Sequence, residues 1–395
     1  MPTETIRLPG PDGRELNARL DTPGGTARAF ALFAHCFTCS KDSKAATFVS
    51  QALAGHGIAT LRFDFSGLEF TSNVEDLVAA AAWLRDERAA PQILAGHSLG
   101  GAAVLAAAVQ IPEARAVSTI GAPYDPSHVA YLIKESKDEI EQKGEALVDI
   151  GGRPVRVSKQ FLDDLGRQNA AQTIGALRRP LLVFHSPLDR IVDIENASKI
   201  FLAARHPKSF VSLDRADHLL TRQEDARYAA TVLAAWASRY LEPEKETSDA
   251  VPGVRVAEAG EGKFAQFIQT GRHRLRADEP ASVGGDDSGP GPYDLLLAGL
   301  GACTSMTVRM YADQKKWPLE RVTVDLKHDK VHATDCAECE TKEGKIDRIE
   351  RLLTLEGNLD DAQRQRLLEI ANKCPVHRTL HSEVWIATTL ASVIR

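Results

Sequence analysis

The sequence predicts two domains of different build: a mostly parallel, doubly wound α/β sheet with a helical insertion, then a smaller α+β domain. Three observations predict it. Up to residue 241 the chain alternates short continuous apolar runs with helix-patterned segments, the pattern of a parallel sheet covered on both faces. A polar stretch with two prolines, residues 242–253, then reads as a linker. From residue 254 to 395 the order changes to strands, a helix, two strands, a helix and a strand.

In the first domain, Ala29–Ala34 is a short apolar run and Lys44–His56 has helical spacing ending at Gly55 and Gly57. Ile58–Phe63 reads as strand, Val74–Arg88 as helix, Gln92–Ala95 as strand and Gly101–Gln110 as an Ala-rich helix. Strands follow at Ala116–Gly121, Leu181–Phe184 and Ser209–Leu213, with helices at Glu195–Arg205 and Ala226–Tyr240. Residues 126–178 break the alternation. They are charged and read as mostly helical (Leu132–Ala146, Lys159–Gln168), an insertion over the C-terminal edge of the sheet. In the second domain, Gly260–Arg276 is rich in strand formers, and Tyr293–Tyr311 is a long apolar helix expected to be buried. Val322–Lys327 and Ile346–Glu356 alternate as strands, Asp360–Lys373 is an amphipathic helix with an Asp N-cap, and Glu383–Leu390 closes as a strand.

Composition narrows the class. Apolar residues make up 43% and charged residues 26%, as in soluble globular proteins, which excludes a mostly disordered, collagen-like or coiled-coil chain. The net charge of −6 and the scattered Lys and Arg disfavour a nucleic-acid partner. No uninterrupted apolar run in the sequence is long enough to span a bilayer, so no membrane partner is expected. The N-terminus lacks a basic and apolar leader, so the expected location is the cytoplasm. Six cysteines in 395 residues are too few for a disulfide scaffold and point to catalytic, redox or metal-binding roles.

Gly96-His97-Ser98-Leu99-Gly100 matches the G-x-S-x-G nucleophile elbow. It follows an apolar run and opens a helix, the setting the motif requires. The serine sits on a tight strand-to-helix turn, so its neighbours must be small. Its hydroxyl is a weak nucleophile and needs a base and an orienting acid. Asp189 and His218 each fall just after a predicted strand, giving the order Ser98, Asp189, His218. Asp125, Asp193 and Asp217 compete for the acid position. His35, His97 and His185 read as structural, at strand ends and turns. On these residues the first domain resembles the α/β-hydrolase family over residues 5–241. The resemblance implies the α/β-hydrolase fold, an acyl-Ser98 intermediate and an oxyanion hole from the N–H groups of Phe37 and Leu99. Cys36 stands where that family usually has glycine.

Cys303 lies inside the long apolar helix, and Cys374 precedes Pro375 near the end of the amphipathic one. Polar residues (Thr304, Lys373, His377, Arg378) flank both in otherwise apolar stretches, the kind of setting in which a thiolate becomes reactive. The segments Gly291–Ala312 and Lys373–Leu380 resemble the OsmC family, the osmotically inducible and organic hydroperoxide resistance proteins, over about residues 260–395. The resemblance implies a thiol peroxidase with a role in oxidative stress. Cys303 would attack the peroxide and become a sulfenic acid, and Cys374 would condense with it to a disulfide that an external dithiol reopens. It also implies an Arg–carboxylate pair supporting the thiolate, with Arg272, Arg274 or Arg276 and Asp294 or Glu279 as candidates, and a homodimer through this domain.

Two further pairs, Cys36/Cys39 and Cys336/Cys339, have C-x-x-C spacing that suits a local disulfide, free thiols or a metal. No metal and no resident cofactor are expected. The expected partners are a small acyl substrate, an organic hydroperoxide and a dithiol reductant. The alternatives are a hydrolase whose second domain only dimerises, and a non-enzymatic redox-sensing or ligand-binding protein.

Overall fold

The computed structural model describes residues 2–24, 26–37, 39–128, 136–149, 154–241, 253–259, 262–271, 273–332 and 344–391. Contacts divide the chain into two compact units, Met1–Gly262 with Gln266–Leu275, and Lys263–Ala265 with Arg276–Arg395. Strands β11 (Val254–Glu258) and β12 (Gln266–Thr270), on the second-domain side of the expected linker, group with the first unit; the linker itself, except Gly253, lies outside the described residues.

The first unit holds an eight-stranded sheet. Its strands are β1 (Thr3–Pro9), β2 (Glu15–Asp21), β3 (Ala29–Ala34), β4 (Ile58–Phe63), β5 (Pro91–His97), β6 (Ala116–Ile120), β9 (Leu181–His185) and β10 (Lys208–Ser212), in the order β1-β2-β4-β3-β5-β6-β9-β10. From β4 to β10 every neighbouring pair is parallel. The antiparallel β1 and β2, absent from the sequence reading, extend one edge. Helices α1 (Lys44–Gly55), α2 (Phe70–Glu87), α3 (Leu99–Ala107), α7 (Glu195–Ala203) and α8 (Gln223–Ala237) flank it. Leu32, Leu61 and Leu94 point into one apolar core with α2 and α3, and Phe33, Ile93 and Phe184 into a second with α1 and α8. This two-sided burial is why the central strands read as continuous apolar runs.

The insertion is less helical than expected. Its described part contains α4 (Lys137–Lys143), α5 (Lys159–Gly166), α6 (Ala170–Ala176) and an antiparallel hairpin, β7 (Glu145–Asp149) with β8 (Pro154–Ser158). Gly144, at φ 83°, ends α4 in a left-handed cap, and the residues after it alternate with period two. Residues 132–135 of the helix expected at Leu132–Ala146 lie outside the described residues.

In the second unit α9 (Pro292–Lys315) packs on β14 (Leu319–His332), which pairs antiparallel with β15 (Lys345–Gly357). Helix α10 (Asp361–Ala371) is capped by Asp360, and α11 (Pro375–Leu380) begins after Cys374. Strand β13 (His273–Ala277) bridges the two groups of residues in the chain. Val308, Ala312, Leu319, Leu367 and Ala371 form the core. Two expectations fail here. Helix α9 is apolar but not buried: only one stripe, from Leu300 to Ala312, is covered, and Met306 and Met310 are 65% and 72% exposed. By length and composition alone, it could cross a membrane. Residues Glu383–Leu390, expected to close as a strand, pair with no described strand, and Trp385 is 91% exposed. A strand needs a partner for its backbone N–H and C=O groups, and this segment meets none within the described chain.

Candidate active sites

The turn between β5 and α3 fixes Ser98. Its backbone lies at φ 55° and ψ −127°, a region that L-residues rarely adopt. Three glycines let the chain make this turn. A Cβ on Gly96 would sit 2.2 Å from the Gly100 carbonyl oxygen, and one on Gly101 would sit 2.6 Å from the Ala122 side chain. A Cβ on Gly100 would lie 2.3 Å from the His35 carbonyl oxygen, so the loop leaving β3 can press onto the start of α3 only against glycine.

Ser98, His218 and Asp189 come together. Ser98 Oγ lies 3.0 Å from His218 Nε2, and His218 Nδ1 lies 2.7 Å from Asp189 Oδ2. Asp189 Oδ1 accepts the Ile191 and Val192 amides at 2.9 Å each. Burial alone would raise the Asp189 carboxyl, but the hydrogen bond and charge of His218, with these two amides, hold it below the usual range. The competing acids are occupied elsewhere: Asp125 accepts the Ser127 amide, Asp193 the Glu195 amide, and Asp217 the Leu219 and Thr221 amides.

Leu99 is the first residue of α3, so its N–H has no acceptor within the helix. Phe37 follows β3, and its ring stacks on Phe161 of α5 at 5.1 Å. Cys36 and Cys39 are joined by a disulfide, and the Cys39 amide donates to the Cys36 carbonyl at 3.0 Å. The departure from glycine at Cys36 therefore accompanies a cross-linked turn around Phe37. Thr38 lies outside the described residues.

Three buried histidines frame this site. His97 Nε2 donates to the His218 carbonyl at 2.6 Å, so it holds the backbone of the His218 loop. Burial, then the nearby His218, pushes its pKa down to about 3. His185 Nε2 donates to the Val192 carbonyl, and His35 Nδ1 to the Cys36 carbonyl, each at 2.8 Å. Burial lowers both pKa values first, which favours the neutral ring. Gly121, missed in the sequence, sits at φ 55°; a Cβ there would stand 3.2 Å from Asp189 Oδ2 and 3.5 Å from His218 Nδ1. The glycine that ends an apolar strand run beside the elbow was the available signal.

In the second unit Cys303 is partly exposed and Cys374 is buried. Thr304, one residue after Cys303, has its Oγ1 3.5 Å from Cys374 Sγ. The Arg and carboxylate candidates lie elsewhere. Arg274 donates to the Thr26 carbonyl and Arg276 to the Ser288 hydroxyl, while Asp294 caps α9 through the Gly291 amide. The Glu279 amide donates to Asp278, and Arg272 lies outside the described residues. The guanidinium at the thiols belongs to Arg351, whose Nη1 donates to Thr304 Oγ1 at 2.7 Å. Its sequence signal was an Arg in the inward row Ile349, Arg351, Leu353, Leu355 of β15. Cys336 and Cys339 lie outside the described residues, and no group of three or more metal-ligating side chains occurs among the described ones.

A family model described as "Alpha/beta hydrolase family" matches residues 31–332. The chain belongs to the alpha/beta hydrolase family. A second model, described as "OsmC-like protein", matches residues 285–389, so an OsmC-like domain follows the hydrolase domain. Among solved structures, the esterase domain of a Rhodothermus marinus protein is 52% identical, covering 61% of this chain and 100% of its own, with a TM-score of 0.53. The mouse alpha/beta hydrolase domain-containing protein 10 (21% identity, 60% and 99% coverage, TM-score 0.51) and the alpha/beta hydrolase GrgF from Penicillium sp. sh18 (17%, 61% and 99%, 0.51) share the fold. No curated protein matches the chain.

The neutral His97 gives the hydrolase domain a pH dependence. In the unfolded chain this histidine takes up a proton near 6.5, but in the fold only near 3. Protons therefore favour the unfolded state between those values. The stability that depends on the neutral ring is complete above 6.5 and is lost as pH falls toward 3. Chemical denaturation from about pH 7 to about pH 4 should show wild type losing stability on acidification and His97→Gln losing less. Equal slopes would remove this role from His97.

Proposed function

We propose that this chain is a two-domain enzyme whose hydrolase domain cleaves an ester, thioester or amide through an acyl-Ser98 intermediate. The observation that carries the reading is the continuous hydrogen-bond path from Ser98 through His218 to Asp189, mounted on the strained turn between β5 and α3. In this mechanism His218 Nε2 takes the Ser98 proton as Oγ attacks the acyl carbon. The imidazolium is stabilised by Asp189. The N–H groups of Leu99 and Phe37 receive the oxyanion. His218 then protonates the leaving group, and a water molecule repeats the sequence to release the acid. The esterase domain at 52% identity supports an ester over an amide. With p-nitrophenyl acetate, Ser98→Ala should lower kcat on the order of 10³-fold or more and abolish fluorophosphonate labelling. Retained hydrolysis in Ser98→Ala, or no labelling of wild type, would remove the serine mechanism.

The OsmC-like domain, in the same reading, reduces an organic hydroperoxide. Cys303 thiolate attacks the distal oxygen, forming a sulfenic acid and releasing the alcohol. Cys374 attacks that sulfur, forming the disulfide and releasing water, and an external dithiol restores both thiols. The partial exposure of Cys303 and the burial of Cys374 within reach of it support this order. An alkyl hydroperoxide should consume two thiols in wild type, leave a trappable sulfenic acid in Cys374→Ser, and give neither event in Cys303→Ser. Unchanged thiol content in wild type would leave the second domain without this activity.

A homodimer completes the proposal. The uncovered stripe of α9 with Met306 and Met310, and the unpaired segment carrying Val384, Trp385 and Ile386, are apolar surfaces that a second copy would bury. Sedimentation should return the dimer mass, and a monomer at micromolar concentration would count against it.

A further inference from the structure

We propose that Arg351 is the positioning residue of the thiol pair: acting through Thr304, it holds Cys374 as the thiolate that closes the disulfide with Cys303. This rests on the peroxide-reduction reading and adds to it the residue that prepares the second step.

A guanidinium only donates hydrogen bonds. Arg351 Nη1 donates to Thr304 Oγ1 at 2.7 Å and to the Ala371 carbonyl at 3.2 Å, and Nη2 donates to Asn372 Oδ1 at 2.6 Å. Thr304 is fully buried, so its hydroxyl has few other partners to choose from. Thr304 Oγ1 accepts from the guanidinium, and in this assignment its own hydrogen points at Cys374 Sγ, 3.5 Å away. The His377 amide donates to the same sulfur at 3.4 Å. Two donors converge on a buried sulfur, which suits a thiolate better than a thiol.

The surrounding charges agree. Among the described residues Arg351 meets only neutral acceptors and no carboxylate, so its charge is left for the sulfur. Burial alone would raise the Cys374 thiol. Hydrogen bonds from Thr304, the His377 amide and Cys303, with the charge of Arg351, outweigh it and hold the thiol below its ordinary value. Among the described residues, the titratable and charged groups that act on Cys374 include Cys303 from α9 and Arg351 from β15, and His377 from α11 contributes its backbone amide. Burial first, then Arg351 and His381, lowers the pKa of His377, so its ring adds no competing charge at neutral pH.

A thiolate at Cys374 needs no base in the resolving step. Its sulfur attacks Cys303 sulfur, the S–S bond forms as the S–O bond breaks, and hydroxide leaves and takes a proton to become water. The electrons come from the two cysteine sulfurs, and the hydroperoxide has already been reduced to the alcohol.

The test measures the Cys374 thiolate without using peroxide. In full-length Cys303→Ser, the rate of iodoacetamide alkylation at Cys374 is followed against pH by mass spectrometry of its peptide. The expected midpoint lies below the ordinary thiol value of about 8.5. Arg351→Met and Thr304→Val should each move it upward and slow alkylation near pH 7 by about tenfold, with Arg351→Lys recovering part of the loss. A midpoint at the ordinary value in the parent, or one that neither substitution moves, overturns the assignment. If Arg351→Met does not fold, the midpoint of Thr304→Val decides between the same two outcomes. A low midpoint that moves as expected, in a protein whose thiols ignore hydroperoxide, supports the Arg351 assignment and removes the peroxide reading alone.

Discussion

The hydrolase site depends on how closely three pieces of backbone approach one another around Ser98. The strand leaving the sheet at β5 must turn into α3 within one residue, under the loop that leaves β3 and beside the end of β6. Holding Ser98 at φ 55° costs on the order of 1–3 kcal/mol, and the surrounding contacts must over-determine it. They do so through Gly96, Gly100 and Gly101, whose missing side chains are occupied by backbone and by Ala122, and through the Ser98 amide, which donates to the Ile120 carbonyl at 2.9 Å. Everything else in the site is placed relative to that turn. Leu99 opens α3 directly after Ser98, and Phe37 follows the end of β3.

The polar scaffold is arranged so that few charges compete with the triad. His35, His97 and His185 each use a ring N–H to hold a backbone carbonyl in the loops that carry Phe37, His218 and Asp189. Burial favours the neutral form of all three. The base of the β3 loop is tied down by a charged pair instead. Arg62, almost wholly buried, binds Asp21 at 2.7 Å and reaches the Lys41 carbonyl and Asp42. A buried pair of this kind contributes little net stability but is costly to break on one side, so it fixes geometry.

The second unit obeys a different constraint. Its core is small, and α9 covers only one stripe against β14, where Gly301 lets the helix approach Leu326. The two cysteines lie where α9, the end of α10 and β15 meet, so their chemistry is set by side chains from separate elements. The apolar residues left outside that core include Leu352 of β15 and Leu368 of α10, and also those of α9 and of the segment after α11, the two places where the expectations of burial and strand pairing failed.

Sequence by itself determined the motif-bearing parts. The elbow around Ser98, the order Ser98, Asp189, His218, the boundaries of β3 and β4 and both cysteine motifs were legible because each depends on local spacing: small residues at a tight turn, or apolar runs at strand length. The β7–β8 hairpin falls largely between the helices read at Leu132–Ala146 and Lys159–Gln168 and was missed, because the charged segment shows no strand pattern until Gly144 ends the helix. Tertiary structure alone decided which neighbours complete each site. Gly121 beside Asp189, His97 on the His218 carbonyl and Arg351 on Thr304 join residues far apart in the chain, and spacing carries no information about such contacts. The same limit explains α9 and Glu383–Leu390. Local pattern reports that a segment is apolar or strand-forming, but whether that surface is covered depends on what packs against it.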